Sequence, residues 1–398
     1  MDQTIAAISH PFPEPPGYGE AREVAPGLWW LRLPLPMALD HVNAYVLNDG
    51  AQGLTVIDTG LDSLKSRAAW QQVLAGPLQG KKVWRVIATH HHPDHIGLAG
   101  WFQAQGAELW ATRTAWLMAR MLVLDEQPLP SAETIAFWRS AGMDAARLAV
   151  KATERPFNFA DCVAPLPLGF RRLSQGDVVE MGGRRWDVHI GHGHAPDHAT
   201  FWSRDDALVI GGDQLLPGIS ANLGTYATEP DADPVADWLE SCTRLAVPAH
   251  ADQLVLPGHK LPFAGLPFRL GQMIENHHAA LARLYTHLAT PQVAVDCFVP
   301  LFRRQIGDGE HGLALVEAVA HLNHLHQVGR ITRQRRADGA WLWQQAPAQV
   351  QDCGTIAHIN PVTAVPFWAI ENPTAQQEQA HGRIQAWQHG YQRPAKDL

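Results

Sequence analysis

The stretch THHHPDHIG, residues 89–97, contains four histidines and one aspartate and directly follows the apolar segment KKVWRVIA. His90 and His92 lie two positions apart after a predicted strand, and in an extended backbone such residues point to the same side. Pro93 favours an extended conformation for the residue before it, so both imidazoles should face one point. The stretch therefore predicts a metal site at the end of a buried strand. His91 lies between the two imidazoles and is expected to point the opposite way.

Further donor residues follow this loop and the ends of other predicted strands. Asp94 and His95 begin the next helix and present a second pair of donor atoms beside the first. Three later segments, IGHGHAPDH, VIGGD and VLPGH, each place a histidine or an aspartate close to a glycine at the end of a strand. Glycine allows a tight turn and a close approach of the ligand. The candidate donors in these segments are His192, His194, His198, Asp213 and His259.

Taken in order, the motifs HxHxDH, GH, GGD and PGH resemble those of the metallo-β-lactamase superfamily, and the match covers about residues 25–265. The resemblance implies an α/β fold of the αββα sandwich type, with two metal ions at one edge. It implies one metal held by His90, His92 and His194, a second held by Asp94, His95 and His259, and a bridge between them formed by Asp213. The segment VIDTG resembles the first motif of the family, so Asp58 is expected to orient a ligand imidazole.

This donor set also indicates a class of chemistry. Imidazoles and carboxylates without thiolates suit Zn²⁺, with Mn²⁺ or Fe²⁺ as alternatives. Two metals about 3.5–4 Å apart lower the pKa of a shared water, so a bridging hydroxide exists at neutral pH. The sequence therefore predicts a dinuclear metal-dependent hydrolase in which Asp94 shuttles the proton of that water. A redox di-iron site is disfavoured, because redox members of the family replace the second histidine with a carboxylate and this chain keeps His92.

The third motif departs from the Gly-His-Thr-x-Gly-His of many family members, since residues 193–198 read GHAPDH. His198 has two interpretations of equal weight. It either donates to a substrate oxyanion as a catalytic residue or holds the loop. His192 is not expected to bind metal, because His194 has the better spacing. Asp197 and His198, together with a C-terminal winged helix, resemble the β-lactamase-like subgroup that includes mitochondrial endoribonucleases.

The chain is predicted to divide into four regions. Residues 1–26 are rich in proline and read as an extended N-terminal arm, and residues 27–265 form the metallo-β-lactamase domain. Residues 113–160 form a helical insertion within that domain. Residues 266–345 contain the pattern of three helices and a hairpin, which predicts a small winged-helix-like domain. Residues 346–398 are rich in Gln, Ala and Pro and read as a C-terminal tail.

Composition limits the location and the partners. The net charge of −8 argues against a non-specific polyanion binder. The N-terminus lacks the basic head and apolar core of a secretory signal, and no apolar run reaches about 18 residues, so no membrane association is expected. The four cysteines form no CxxC pair, which indicates free thiols in a reducing, cytoplasmic environment.

The insertion bears on the substrate, which is expected to be a small molecule. It carries three of the seven methionines and many other apolar side chains. One interpretation is a lid for an acyl chain, which favours a thioester, ester or lactone substrate. The other is the buried face of a packed insertion or a contact in a homodimer. Tyr226 follows the bridging aspartate and is a candidate substrate contact, although a packed tyrosine is the commoner outcome.

An alternative function follows from a basic cluster in the predicted hairpin, formed by Arg330, Arg333, Arg335 and Arg336. The helix LALVEAVAHLNHLHQ contains no Lys or Arg, which argues against sequence-specific DNA binding. The arginines could contact phosphates of RNA or of coenzyme A, or form a solvated wing, and the solvated wing is the favoured interpretation. The alternative function is therefore a metal-dependent endoribonuclease or phosphodiesterase, with RNA less favoured than an acyl substrate. A binding protein without activity is disfavoured, because every ligand position is filled.

Overall fold

The computed structural model describes residues 7–347, in which two β-sheets pack face to face. The first sheet follows chain order. Its first four strands are antiparallel neighbours, and its last four are parallel neighbours. Its strands are β1 (Arg22–Ala25), β2 (Leu28–Pro34), β3 (His41–Asn48), β4 (Leu54–Ile57), β5 (Val83–Ile87), β6 (Glu108–Thr112) and β7 (Arg171–Leu173).

The second sheet also follows chain order, with each strand beside the next one in sequence. Its final two strands are parallel and its other neighbours are antiparallel. Its strands are β8 (Val178–Met181), β9 (Arg184–Gly191), β10 (His198–Ser203), β11 (Leu208–Gly212) and β12 (Leu254–Pro257). A separate hairpin near the end of the described chain pairs β13 (Ile331–Arg335) with β14 (Trp341–Gln345).

Helices occupy the connections between strands. Those that lie before β12 are α1 (Leu64–Ala75), α2 (Pro93–Ile96), α3 (Ala99–Gln103), α4 (Arg113–Leu124), α5 (Ala132–Ser140), α6 (Ala145–Lys151) and α7 (Pro234–Leu245). Those that follow it are α8 (Leu266–His287), α9 (Phe298–Phe302) and α10 (His311–Gln327).

The side-chain pattern of the strands explains the layers. In β9, Trp186 and Val188 point into the space between the sheets, while Asp187 points out, as a half-buried strand requires. Strand β3 is buried on both faces: Tyr45 faces the other sheet and Val46 faces the outer helices, so its burial does not alternate along the strand.

Helices cover both outer faces of the sandwich. The core outside the first sheet contains Trp70 of α1 and Phe102 of α3. The core outside the second sheet contains Trp238 of α7 and Leu284 of α8. Each large apolar side chain that is fully removed from water contributes roughly 1.5–3 kcal/mol to folding. The αββα sandwich expected from the motifs is confirmed.

The C-terminal helices and the hairpin predicted over residues 266–345 are present. Their buried side chains, such as Leu315 and Trp343, belong to the same apolar core as α7 and the outer face of the second sheet. This region therefore packs onto the sandwich through a continuous core, and its definition as a separate winged-helix domain stays a prediction.

The N-terminal end differs from expectation in one respect. The predicted arm is not only an arm, because β1 pairs with β2 and Ser9 forms a bridge with Ala264. The predicted tail lies outside the described residues from position 348 onward. Three cysteines, Cys162, Cys242 and Cys297, are free and buried, and Cys353 lies outside the described range.

The insertion over residues 113–160 consists of α4, α5 and α6. Each helix has a side-chain N-cap, from Thr112, Ser131 and Asp144, that accepts a backbone N–H three residues later. Among residues 7–347, no helix has the length and apolar character needed to cross a membrane.

Candidate metal centre

Four loops meet at one edge of the sandwich, where β5, β9, β11 and β12 end. The loop after β5 carries His90 and His92 and continues into α2, whose first residue is Pro93. His92 has φ −62° and ψ 146°, the extended conformation that the following proline favours. The seven ligand residues predicted from the sequence all lie in these loops or at the start of α2.

The first group of donors consists of His90, His92 and His194. The Nε2 atom of His90 lies 2.9 Å from Nδ1 of His92, and that Nδ1 lies 3.0 Å from Nε2 of His194. His90 is completely buried, whereas His92 and His194 are partly exposed. Three imidazole nitrogens thus converge on one point, with access from solvent on one side.

The second group consists of Asp94, His95 and His259. The Oδ2 atom of Asp94 lies 3.4 Å from Nε2 of His259 and 3.6 Å from Nε2 of His95. His95 is fully buried and His259 is 3% exposed, whereas the side chain of Asp94 is 20% exposed. Asp94 is therefore the member of this group that solvent reaches most easily.

Asp213 connects the two groups. Its Oδ2 atom lies 3.4 Å from Nε2 of His194 in the first group. The same atom lies 3.4 Å from Nε2 of His95 and 3.3 Å from Nε2 of His259 in the second. One carboxylate oxygen therefore contacts both donor groups, which is the arrangement expected of a bridging ligand.

Hydrogen bonds through Asp58 fix the orientation of two imidazoles. Oδ2 of Asp58 accepts from Nδ1 of His95 at 2.7 Å and from the hydroxyl of Thr89 at 2.8 Å. Because the Thr89 proton is committed to Asp58, the Thr89 oxygen accepts from Nδ1 of His90 at 3.0 Å. A neutral imidazole has one donor and one acceptor nitrogen. His90 and His95 therefore present the lone pair of Nε2 to the centre.

Two backbone carbonyls do the same for the other imidazoles. Nδ1 of His194 donates to the carbonyl of Asn222 at 2.9 Å, and Nδ1 of His259 donates to the carbonyl of His41 at 2.8 Å. When these rings are neutral, their Nε2 atoms also point lone pairs inward. Partners of this kind on the distal nitrogen are usual for metal-bound histidines.

These donors fit divalent cations. The Nε2 lone pairs of His90 and His194 both face Nδ1 of His92. If all three rings are neutral, at most one proton, on Nδ1 of His92, lies among these three nitrogens, so they cannot all be paired. In the second group, the buried atoms Nε2 of His95 and Oδ1 of Asp213 have no hydrogen-bond partner within the described chain. Buried polar atoms are rarely left unpaired, so a cation between the groups would resolve both cases.

The electrostatics of the centre support the same conclusion. Burial, and then the neighbouring imidazoles, hold the pKa of His90 far below its usual range, so the ring is neutral, as a metal ligand must be. Burial alone would lower the pKa of His259, but the carboxylates of Asp213 and Asp94 raise it to about 10. The second group therefore attracts positive charge.

Glycines allow the close approach at this edge. A Cβ on Gly258 would lie 2.1 Å from Oδ1 of Asp213 and 2.8 Å from Cε1 of His95. A Cβ on Gly212 would lie 2.6 Å from Cε1 of His198, and Gly212 has φ +48°. The GGD and PGH motifs thus need glycine for space as well as for backbone conformation.

His198 contacts the loop that carries Asp213. This residue is fully buried, stacks on His90 at 4.6 Å, and accepts the backbone N–H of Asp213 at its Nε2 atom, at 3.1 Å. An accepting nitrogen cannot donate to an oxyanion. The other ring nitrogen, Nδ1, then carries the proton and has no partner within residues 7–347, so both roles predicted for His198 stay predictions.

The remaining predicted positions are placed as follows. His91 belongs to neither donor group. Its ring is parallel to that of Phe159, with planes 7° apart and centroids 6.2 Å apart, and its centroid lies 4.5 Å from that of His92. His192 accepts from the backbone N–H of Asp197 at 3.3 Å, outside both donor groups. Tyr226 is 48% exposed in the segment that follows Asn222, so its role as a substrate contact stays a prediction.

Some residues of the centre could not be identified from the sequence. Asn222 and His41 act through backbone carbonyls, which no side-chain motif marks. Glu317 of α10 accepts from the Asn222 side-chain amide at 2.7 Å, although it lies 95 positions away. Thr89 belongs to the stretch THHHPDHIG, and its place directly before His90 is the one sequence signal for its contact with that imidazole.

Comparison with known proteins identifies the family. The metallo-β-lactamase superfamily profile matches residues 37–259, more than half of the chain. The chain belongs to the metallo-β-lactamase superfamily. A second profile, described as the metallo-β-lactamase-like C-terminal domain, matches residues 281–346. The finer resemblance to the endoribonuclease subgroup stays a prediction.

Three similar proteins illustrate the relationship. A crystal structure of a β-lactamase domain protein from Burkholderia ambifaria is 36% identical, covers 85% of this chain and 97% of its own, and has a TM-score of 0.77. Probable metallo-hydrolase YqjP of Bacillus subtilis (strain 168) is 25% identical over 59% of this chain and 72% of its own. Acyl-coenzyme A thioesterase MBLAC2 of Gallus gallus is 26% identical over 58% of this chain and 77% of its own. The chain is therefore a metallo-hydrolase of this superfamily.

Proposed function

We propose that this protein is a dinuclear metal-dependent hydrolase of acyl thioesters. The observation that carries the proposal is the contact of a single Asp213 oxygen with both donor groups. His90, His92 and His194 would hold one divalent ion, and Asp94, His95 and His259 the other, in each case with Asp213. Zn²⁺ suits this nitrogen and oxygen set, with Mn²⁺ or Fe²⁺ as alternatives.

Different residues of the chain have different roles in the proposed hydrolysis. Two divalent ions held there would lower the pKa of a water and polarise a substrate carbonyl. Burial raises the pKa of Asp94, but His95 and His259 lower it more strongly, so the carboxylate is ionised and can accept a proton. Its 20% exposure lets Asp94 pass that proton to a leaving thiol or to solvent. Asp58 and the carbonyls of Asn222 and His41 keep the imidazoles in the ligating tautomer.

An apolar surface beside the metal loop supports an acyl substrate. Phe159 stacks on His91, between two proposed ligands, and Phe157 packs on Phe159 while 44% exposed. Nearby helix α4 buries Trp116 but exposes the apolar side chains Leu117 and Met121. The similarity to an acyl-coenzyme A thioesterase points to the same bond type.

The nuclease alternative has less support. Arg333 forms an ion pair with Asp231 at 3.0 Å, and Arg336 forms one with Asp338 at 2.7 Å. Arg330 stacks on the ring of Tyr285. Three of the four hairpin arginines are exposed, as in the solvated wing favoured from the sequence, and most are already engaged in ion pairs or stacks, which disfavours an RNA-binding surface.

The test is a hydrolysis panel run on the metal-loaded protein and on Asp213→Asn, with metal content measured in the same samples. The panel contains acyl-coenzyme A thioesters of increasing chain length, acyl-homoserine lactones, bis-p-nitrophenyl phosphate and short RNA. We expect thioester hydrolysis that rises with chain length and that is lost with the metal in Asp213→Asn. Faster cleavage of RNA or of the phosphodiester, with steep inhibition by salt, would overturn the substrate assignment.

A further inference from the structure

A second cavity lies outside the metal centre, with a volume of about 400 Å³. Its walls come from α5, the segment 227–231, α10 and the β13–β14 hairpin. Phe137 and Trp343 form its apolar base. Nothing in the catalytic arrangement described above uses this cavity.

The hairpin presents a ladder of arginines and tryptophans to the cavity. The register pairs Arg335 with Trp341 and Arg333 with Trp343, so all four side chains lie on one face. The guanidinium groups of Arg333 and Arg335 each lie 4.6 Å from the centre of the Trp341 ring. Guanidinium groups stacked in this way keep their N–H edges free for planar or anionic ligands.

The two arginines differ in what their edges contact. Arg333 forms an ion pair with Asp231 and also stacks on Trp341, so its position is fixed from two sides. Arg335 forms no ion pair with any residue in the range 7–347, and its charged edge is free beside the cavity. A free guanidinium edge matches a phosphate group.

Of the remaining polar groups, one suits another part of a nucleotide. Glu133 and Asn323 line the same cavity. The Asn323 side-chain nitrogen already donates to the carbonyls of Pro230 and Ala232, so Asn323 shapes the wall and does not pair with a base. A carboxylate such as that of Glu133 is a usual partner of the ribose 2′-hydroxyl. Aromatic rings and guanidinium planes are the surfaces on which bases stack. Together these walls offer a platform for a base, a partner for a ribose and a site for a phosphate.

The cavity is within reach of the metal centre along two elements. On α10, Glu317 lies at the metal end and Asn323 at the cavity end, six residues or about 9 Å along the helix axis. From Asn222, whose carbonyl holds His194, to Ala227 in the cavity wall the chain spans at most about 18 Å. The length of an extended phosphopantetheine arm is of the same order as these distances.

We propose that the cavity between α5, α10 and the β13–β14 hairpin binds the adenosine 3′,5′-bisphosphate end of a coenzyme A thioester. Arg335 contacts a phosphate, and the Arg333–Trp341 stack receives the base. Tyr226, exposed in the segment between Asn222 and the cavity wall, lies along the path of the arm. This proposal rests on the thioesterase function proposed above. It assigns the site that recognises the coenzyme A leaving group.

The first test measures binding without turnover. Adenosine 3′,5′-bisphosphate is titrated into the metal-loaded full chain by calorimetry, with wild type, Arg335→Gln and Arg336→Gln compared. Arg336 is the matched control, because it belongs to the same hairpin, is paired with Asp338 and does not line the cavity. Loss of a charge-assisted hydrogen bond predicts affinity about 10- to 100-fold weaker for Arg335→Gln, and unchanged affinity for Arg336→Gln.

The second test compares two thioesters with the same acyl group, one of coenzyme A and one of N-acetylcysteamine, which lacks the nucleotide. Arg335→Gln should raise KM for the coenzyme A substrate about tenfold or more, with kcat/KM for the truncated substrate unchanged. Equal effects on both substrates would overturn the proposal, as would the absence of bisphosphate binding by wild type. Tighter binding of an RNA oligonucleotide or of AMP than of the bisphosphate would also overturn it. Bisphosphate binding through Arg335 without any thioester hydrolysis would refute the proposed function and leave the cavity assignment standing.

Discussion

Asp58 offers the sharpest test of how the imidazoles are held. It is 3% exposed and lies directly after β4. Its two oxygens accept three hydrogen bonds, from the backbone and hydroxyl of Thr89 and from Nδ1 of His95. Asp58 has φ +58°, a left-handed conformation that asparagine also tolerates. Asp58→Asn therefore keeps the size and the backbone and changes the hydrogen bonding.

The expected effect follows from the geometry. An asparagine amide has one acceptor oxygen and one donor nitrogen, so it cannot accept the Thr89 backbone N–H at one end and the Thr89 hydroxyl and His95 Nδ1 at the other. If its NH₂ group faces His95, the imidazole must move its proton to Nε2, where that proton blocks the ligand lone pair. Changes to such hydrogen-bond partners weaken metal binding about 10- to 100-fold, which corresponds to about 1.4–2.7 kcal/mol.

The assay is a zinc titration in competition with a chromophoric chelator, with folding followed by circular dichroism. Asp49→Asn is the control, because Asp49 is a buried carboxylate at the opposite end of β4 that accepts from Trp84 and pairs with Arg85. It should lose stability and keep its zinc affinity. A folded Asp58→Asn protein that binds two zinc ions as tightly as wild type would refute the reasoning, as would an equal loss in Asp49→Asn.

Three further predictions concern other parts of the structure. Gly258→Ala should lose at least one metal equivalent, measured by mass spectrometry, because its Cβ would lie 2.1 Å from Oδ1 of Asp213. Glu317→Ala should weaken zinc binding in the chelator assay by releasing Asn222, and Glu317→Gln, which can still accept the amide, should restore it. Burial lowers the pKa of His277 to about 3, so its neutral state stabilises the fold above about pH 6.5 and this contribution is lost as the pH falls. His277→Phe should therefore show a smaller drop in urea midpoint between pH 6.5 and 4.5, and a drop as steep as in wild type would contradict that assignment.

Much of the metal centre could be predicted from the sequence, because the signals for it lie within short stretches of the chain. The spacing of His90 and His92 and the proline after them set their common direction before any tertiary contact is known. The glycines before Asp213 and His259 marked the ends of strands, and strand ends meet at one edge of a sandwich. The order of the motifs then indicated the αββα fold.

The rest depends on contacts that sequence spacing does not carry. The contact of the Asp213 backbone N–H with Nε2 of His198 is one example, because the motif does not show which backbone group the ring meets. The carbonyl partners at Asn222 and His41 have no side-chain signature. The sequence favours a solvated wing for the hairpin arginines, and it does not show that Arg333 and Arg335 both stack on Trp341. The sequence shows that arginines alternate along one strand of the hairpin and tryptophans along the other. It does not show that α5 forms the opposite wall of a cavity beside them.

The central claim is that this chain holds two metal ions joined by Asp213. The most direct measurement is anomalous X-ray scattering at the zinc edge from crystals of the zinc-loaded protein. The account predicts two peaks about 3.5–4 Å apart, one beside His92 and His194 and one beside Asp94 and His259. A single peak, or none, in a well-ordered zinc-saturated crystal would contradict it.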